Sequence, residues 1–481
     1  MKFVIKLFPE IIVKSRPVRK RFISQLKKNL RKLMLEVDES IIVGGKWDFV
    51  EVRLENGLDH YEAEVLQILK NTPGIDFILK VKTHEFDSLE DIVRITVDEY
   101  KEIVKDKYFC VRAKRAGKHT FSSTYLEQQA GGALLQNSQA AGVNLKNPDV
   151  TVNLEIKDNL LFTVDYRVEG LGGYPMGQQE ACLSLISGGF DSSVASYLMI
   201  KRGIRTHYLF FNLGGMAHEV GVKQVAHYLW EKYSSTHRVL FITIPFENVV
   251  TEILTKVHHS QMGVILKRMM LRVAERVAEE FHIPGLVTGE CVGQVSSQTM
   301  TNLSIIDQAT SMLTMRPLIT MDKQAIIKIS RETGTEEFAA SMPEYCGVIS
   351  DKPTTKARKE KIEFEEAKFD FDVLSQAFDQ MKVENIDSLY QVETNIDDIA
   401  VVSMPAANDV VIDIRHPQEL AVKPLYLTNN KVLPIPFFKL QSTQELNKET
   451  DYLLYCDKGV MSQLQAEELT SKGYKVKVYQ P

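Results

Sequence analysis

The chain has 481 residues, 44% of them hydrophobic and 25% charged, the composition of a soluble globular protein with two to four domains. A formal net charge of -5 argues against wholesale nucleic-acid affinity, because a phosphate backbone is held by an excess of cations. No run of about 18 uncharged apolar residues occurs, and residues 1–8 alternate like a strand instead of forming a charged segment and an apolar signal core, so a cytoplasmic protein with no membrane partner is expected.

Residues 2–7 read as a strand, 18–35 as a basic amphipathic helix, and 40–43 and 48–54 as two further strands. From 61 the order repeats, with a helix at 61–70, a strand ending in Ile78, Leu79, Lys80 and Val81, and a helix at 89–104. A strand at 107–114, a helix at 124–141 and a hairpin of 151–155 with 159–166 complete a mixed α+β half that shows no catalytic constellation.

The run Gly170-Leu171-Gly172-Gly173-Tyr174-Pro175 reads as a linker. Beyond it strands at 182–186, 206–211, 239–244, 286–288 and 315–318 alternate with helices at 193–202, 217–232, 264–281 and 322–333. Such alternation implies a doubly wound parallel sheet, which binds ligands at the carboxyl ends of its strands. Residues 351–368 carry dense mixed charge and read as an exposed connecting helix. A third, small α/β unit follows from about 400, with strands at 410–414, 432–434 and 452–455 and a helix at 461–472.

Charge is unevenly spread. Residues 1–32 hold eleven Lys/Arg and one acid, Glu10, and the segment 109–123 adds Arg112, Lys114, Arg115, Lys118 and His119 with no acid. Local patches of this kind suit a phosphate backbone, although a solvated positive face has the same composition. The five cysteines (Cys110, Cys182, Cys291, Cys346 and Cys456) lie far apart without a CxxC pair or a Cys/His cluster. That spacing argues against a structural zinc or a disulfide framework. Any pair that does join in a reducing compartment is expected to be catalytic.

The strand at 182–186 leads into Ser187-Gly188-Gly189-Phe190-Asp191-Ser192 at the start of a helix. Glycines allow close approach, the helix start supplies free N–H groups and the positive dipole end, and the serines add donors, so the turn is an anion cradle. It lacks the GK[ST] ending of a Walker A loop and the GxGxxG of a dinucleotide fingerprint. Lys267, Gly289, Gln298 and Lys323 approach the same sheet edge, where Lys267-Arg268 could neutralise phosphate and Lys323 could stabilise a departing pyrophosphate. Solvated lysines and an ordinary Asp191 helix cap remain the bland alternatives.

At the far end an apolar strand delivers Cys456 into a turn before a helix. Backbone N–H groups there favour a nucleophilic thiolate, whereas a strand-end cysteine elsewhere is more often core filler. Residues 409–415 (DVVIDIR) resemble the early strand of a rhodanese. A second cysteine, Cys346, stands in MPEYCG.

SGGFDS is similar to the pyrophosphate loop of the PP-loop ATPases. Together with MPEYCG and LYCDKGVMS it makes the whole chain resemble the tRNA 4-thiouridine synthetases of the ThiI type, in their long form. The resemblance implies a multidomain α/β and α+β fold. Its parts would be an N-terminal ferredoxin-like domain at 1–60, a THUMP tRNA-binding domain at 61–165, a doubly wound PP-loop ATP pyrophosphatase domain at 175–395 and a small α/β rhodanese domain at 402–481. It also implies ATP with Mg2+, bound by Leu185, Ile186, Ser187, Gly188, Gly189, Asp191, Ser192, Phe210, Phe211, Lys267, Gly289 and Gln298. Asp191 and Lys323 would be catalytic in adenylylating O4 of uridine 8, and Arg112, Lys114, Arg115 and Lys118 would hold tRNA. A cysteine desulfurase would load a persulfide on Cys456, a Cys346–Cys456 disulfide would form in turnover, and sulfur could also pass to the carrier protein of thiamine thiazole synthesis.

Overall fold

The computed structural model describes all residues except 46–49, 56, 214, 342–351, 390–398, 407, 416, 441–442, 444–445, 457–461, 463–464, 467–468 and 471. Cys346 and half of the helix expected at 461–472 therefore lie outside the described residues. The chain divides into two units, Met1–Pro175 and Met176–Pro481.

The first unit begins with β1 (Lys2–Leu7), α1 (Pro9–Ile12), α2 (Arg16–Val37), β2 (Ile42–Gly44), β3 (Val50–Arg53), α3 (Glu62–Asn71) and β4 (Ile75–Glu85). Phe22, Ile23, Leu26, Leu30 and Met34 recur at helical spacing on α2 and are buried, which turns the basic residues of that helix outward. Ile23, Leu26, Leu30 and Met34 share a core with Phe3 and Ile5 of β1 and with Val65, Leu69, Ile75 and Ile78, while Phe22 packs with Ile11 and Tyr174. The division expected at 60/61 thus does not separate two cores, because α3 and β4 complete the first one. The unit continues through α4 (Leu89–Tyr100), β5 (Tyr108–Ala116), α5 (Ser123–Gln136), β6 (Gly142–Val143), β7 (Val150–Lys157) and β8 (Leu160–Gly172), with its own core of Ile92, Phe109, Val111, Leu126, Val152 and Leu161.

One sheet joins both halves, in the order β2-β3-β1-β4-β8-β7-β5-β6. Antiparallel β4 and β8 pair from Ile75↔Gly172 to Glu85↔Leu160, so the expected linker at 170–175 is in part the end of a paired strand. A Cβ at Gly170 would collide with the Ile75 carbonyl; glycine serves close strand approach there.

The second unit opens with β9 (Cys182–Leu185), α6 (Phe190–Lys201), β10 (Thr206–Asn212), α7 (Gly215–Tyr233), β11 (Leu240–Pro245), α8 (Glu247–Lys256), α9 (Met262–Glu280), β12 (Gly285–Val287), α10 (Met300–Asp307) and β13 (Leu313–Met315). After these come α11 (Lys323–Thr333), α12 (Glu336–Ser341), α13 (Lys359–Glu366), α14 (Asp372–Asp379) and β14 (Lys382–Asn385). The sheet order is β13-β12-β9-β10-β11-β14; β9 to β13 are parallel and β14 is an antiparallel edge. Strand order reverses between β9 and β12, the crevice where such sheets bind ligands. The expected last strand at 315–318 is displaced to Leu313–Met315 and stops short of Pro317, which has no N–H for a ladder. The segment expected as an exposed connector instead packs Ala357 and Ile362 into the main core, followed at once by Phe369.

The remaining elements are β15 (Val401–Val402), β16 (Val410–Asp413), α15 (Pro417–Val422), β17 (Val432–Pro434), α16 (Phe437–Leu440), β18 (Asp451–Tyr455) and β19 (Lys475–Tyr479). They form a parallel five-stranded sheet, β15-β19-β18-β16-β17. Phe437 stacks on Phe338 of α12 with ring centroids 4.5 Å apart, and one apolar cluster runs from Tyr228 and Phe338 to Ile414, Leu454 and Cys456.

Candidate functional site

The phosphate loop follows β9. Gly188 has φ +82°, a left-handed conformation that glycine adopts without strain. Gly189 caps α6 without a side-chain acceptor, so N–H groups of the first turn remain for an anion. Ser192 organises the turn: its Oγ lies 3.1 Å from Ser187 Oγ, accepts from Ser187 N at 3.1 Å and donates to the Gly189 carbonyl at 3.3 Å.

The structure brings Asp191 and Lys323 together. Lys323 Nζ stands 3.0 and 3.1 Å from the two Asp191 carboxylate oxygens. Asp322, the N-cap of α11, accepts from Ala325 N at 2.8 Å and thereby places Lys323 at the first turn. Gln294 Nε2 donates to Asp191 Oδ2 at 2.9 Å. The sequence alone assigns Gln294 no role; its polar run is visible there, but nothing in that run separates it from Gln298.

Gln298 is buried, and among the described residues its Oε1 has no hydrogen-bond partner. An orphaned buried acceptor is costly unless a ligand satisfies it, and the amino group of a purine would do so. Leu185 ends β9 and Ile186 follows it, with Ile186 N donating to the Leu209 carbonyl at 2.9 Å. Phe210 and Phe211 are 1% and 6% exposed, so their rings are core and cannot stack on a base. Ladder pairing between β9 and β10 ends at Leu185↔Leu209 while β10 continues to Asn212 paired with β11, so a ligand would meet the β9-facing backbone edge of β10 there and not the rings.

Three of the residues that the sequence places near the phosphates have structural partners. A Cβ on Gly289 would stand 2.6 Å from Asp191 C and 2.7 Å from Ser192 N, so glycine is required there by backbone packing of the β12 end on the phosphate loop. Lys267 is held by Glu290 Oε1 at 2.7 Å, and Arg316 Nε by Glu290 Oε2 at 2.9 Å. Burial opposes the Glu290 charge, but these two cations outweigh it and hold the carboxyl below its usual range. Arg268 is not at the phosphate loop face. It is buried, bonded to Glu366 and to the Ile305 carbonyl, an ion pair across the core.

His218 of α7 escapes sequence reading because nothing in a helical sequence marks it. Its Nε2 lies 3.2 Å from the Ser187 carbonyl, and its ring meets Phe210 edge-on at 4.9 Å. Burial pushes its pKa down, so a neutral imidazole donates to the phosphate loop from behind.

In the five-stranded sheet, Cys456 follows β18 and is 8% exposed. Ser462 N donates to Cys456 Sγ at 3.4 Å, and Ser462 Oγ lies 3.3 Å from it. Asp413 and Arg415, the acid and base of DVVIDIR, form a buried pair at 2.6 and 2.9 Å, and Arg415 covers the Tyr455 ring at 4.9 Å.

On β5 of the first unit, Arg112 and Lys114 are exposed on one face, and Lys118 is exposed beyond the strand. Arg115 points to the other face, where Nε donates to Ser123 Oγ at 3.2 Å and the guanidinium lies 5.4 Å from the Phe121 ring centroid. It belongs to the packing of α5 and not to the patch of Arg112 and Lys114.

The family model described as Thiamine biosynthesis protein (ThiI) matches residues 177–371, and the THUMP domain model matches 85–165. The chain is 53% identical over 485 residues to a tRNA sulfurtransferase of Shewanella loihica and 50% identical over 483 residues to one of Saccharophagus degradans, with 100% of each chain covered in both cases. Among solved structures it matches a 4-thiouridine synthetase–RNA complex with bound ATP at a TM-score of 0.68 and 25% identity, over 80% of this chain and 99% of the other. PH1313 of Pyrococcus horikoshii shares the fold at a TM-score of 0.53 and 21% identity, over 69% of this chain and 100% of the other. No described helix is long and apolar enough to cross a membrane. Identity above one half over the full length, with the ThiI and THUMP models matching separate segments, makes this chain a member of the tRNA sulfurtransferase family.

Proposed function

We propose that the protein converts uridine 8 of tRNA to 4-thiouridine by adenylylating O4 with ATP and displacing AMP with a Cys456 persulfide. A carbonyl oxygen leaves poorly until it is esterified to phosphate. Binding ATP across the β9/β12 crevice would set its phosphates on the first turn of α6 and its adenine near Gln298. Asp191 and Lys323 then stand where charge develops as pyrophosphate departs. Magnesium fits as a companion of the nucleotide: Asp191 and the phosphates would hold it and it would neutralise phosphate charge. Among the described residues no group of three or more His, Cys, Asp or Glu side chains is placed to hold a metal.

In the sulfur half, a cysteine desulfurase would supply the outer sulfur of Cys456–S–SH. That sulfur attacks C4 and AMP leaves. The Cys346 thiolate then attacks Cys456 Sγ, forming the disulfide and releasing the 4-thiolate on the base, and a two-electron reductant restores both thiols. Donation of the same persulfide sulfur to a thiazole sulfur carrier is the second reading, favoured by the family description. We read 1–84 as ferredoxin-like, from the order β1-α2-β2-β3-α3-β4 with the short α1 in the first connection, 85–165 as THUMP with Arg112, Lys114 and Lys118 facing tRNA, 175–395 as the ATP pyrophosphatase domain and 402–481 as rhodanese.

The observation that carries this reading is Cys456, a strand-end thiol receiving an N–H from Ser462 in the same compact unit as the phosphate cradle. One turnover on tRNA without reductant tests it. Mass spectrometry of the digested protein should find Cys346 joined to Cys456; two free thiols beside thiolated tRNA would refute the disulfide step.

A further inference from the structure

Asp191 is approached from two loops that are themselves joined. Val292 N donates to the Ile319 carbonyl at 3.0 Å, tying the loop after β12 to the one that delivers Lys323. The first of these folds back at Gly293, whose φ is +79° with open space around it, so conformation and not crowding calls for glycine. Gly293 N then donates to the Gln298 carbonyl and Gln298 N to the Val295 carbonyl, both at 2.9 Å. Exposed Gln294 and buried Gln298 are held in one short turn.

Lysine is a flexible point charge, and Lys323 lies almost equally far from both Asp191 oxygens, at 3.0 and 3.1 Å. It neutralises the carboxylate without choosing between them. Gln294 does choose, donating to Oδ2 at 2.9 Å. Its amide fixes the rotation of the carboxylate plane and leaves Oδ1 the less encumbered oxygen.

Resting on the ATP reading above, we propose that Gln294 is a positioning residue for Asp191. It sets the carboxylate for pyrophosphate departure and links that setting to occupancy at Gln298 through their shared turn. Because the role is orientation, its loss acts on the rate more than on ATP affinity.

The test is steady-state pyrophosphate release with full-length protein, tRNA and ATP, in wild type, Gln294→Ala, Gln294→Glu and Asp191→Asn, with melting temperature as a fold control. Gln294 is exposed, so its variants should melt with wild type. Gln294→Ala should lower kcat about tenfold, as for one hydrogen bond to a charged group, with KM for ATP within about twofold. Gln294→Glu puts a second carboxylate against Asp191 and should be slower still. A Gln294→Ala kcat within about twofold of wild type, or a rise in KM alone, would overturn the proposal while loss of rate in Asp191→Asn leaves the ATP site standing. A wild-type rate in Asp191→Asn would sink both.

Discussion

Gly289→Ala probes how closely the β12 end is packed on the phosphate loop. The added Cβ would lie 2.6 Å from Asp191 C, 2.7 Å from Ser192 N and 2.8 Å from Asp191 O. Ordinary carbon contacts begin at about 3.5 Å, so either the strand end or the first turn of α6 must move by close to 1 Å. Both are backbone, and no side chain can swing away. Overpacking of this size costs about 1–3 kcal/mol, and misplacing a reacting group by about 1 Å costs on the order of 10²-fold in rate. Pyrophosphate release with tRNA and ATP should therefore fall about a hundredfold while the protein still folds with a lowered melting temperature. Wild-type kcat together with a wild-type melting curve would refute the packing argument.

Glu290→Gln strands Lys267 and reduces the partners of Arg316, which keeps Asp307. Breaking a buried pair of this kind costs about 3 kcal/mol at pH 7. The folded Glu290 pKa is depressed from 4.5, so its contribution is present above the unfolded value and is lost as pH falls through the folded one; denaturant titrations should show the gap closing in acid, and a pH-independent gap would contradict this. Exchanging Arg112 and Lys114 together for Glu should weaken tRNA binding and flatten its salt dependence, whereas Arg115→Ala should act mainly on stability; equal salt slopes in filter-binding assays would count against the patch. Phe437→Ala removes the ring stacked on Phe338 and should cost about 3 kcal/mol, exposing residues 399–481 to faster limited proteolysis; unchanged cleavage would show that the contact does not hold this sheet.

The alternating half of the chain is legible because parallel strands covered on both faces are written as short apolar runs; all seven residues of β10 are buried. The phosphate loop and Cys456 are legible because local turn chemistry makes them. What escapes the sequence is decided by distant partners. The division at 60/61 misleads because α3 joins its core through Val65 and Leu69, which touch residues earlier in the chain. Arg268 reads as a phosphate ligand until Glu366 arrives from a segment nearly a hundred positions away. Gly289 is visible as a ligand candidate, but the nearby backbone of Asp191 and Ser192, which also calls for glycine, is not. Gln294 and Glu290 are ordinary polar residues whose place becomes visible only when three loops meet.

One chain making a leaving group at the phosphate loop and displacing it with sulfur from Cys456 is the central claim. Cys456→Ala, assayed on tRNA for both pyrophosphate release and 4-thiouridine by nucleoside mass spectrometry, separates these halves. ATP-dependent pyrophosphate release should persist while 4-thiouridine is absent; thiolation at the wild-type level in that variant would contradict the claim.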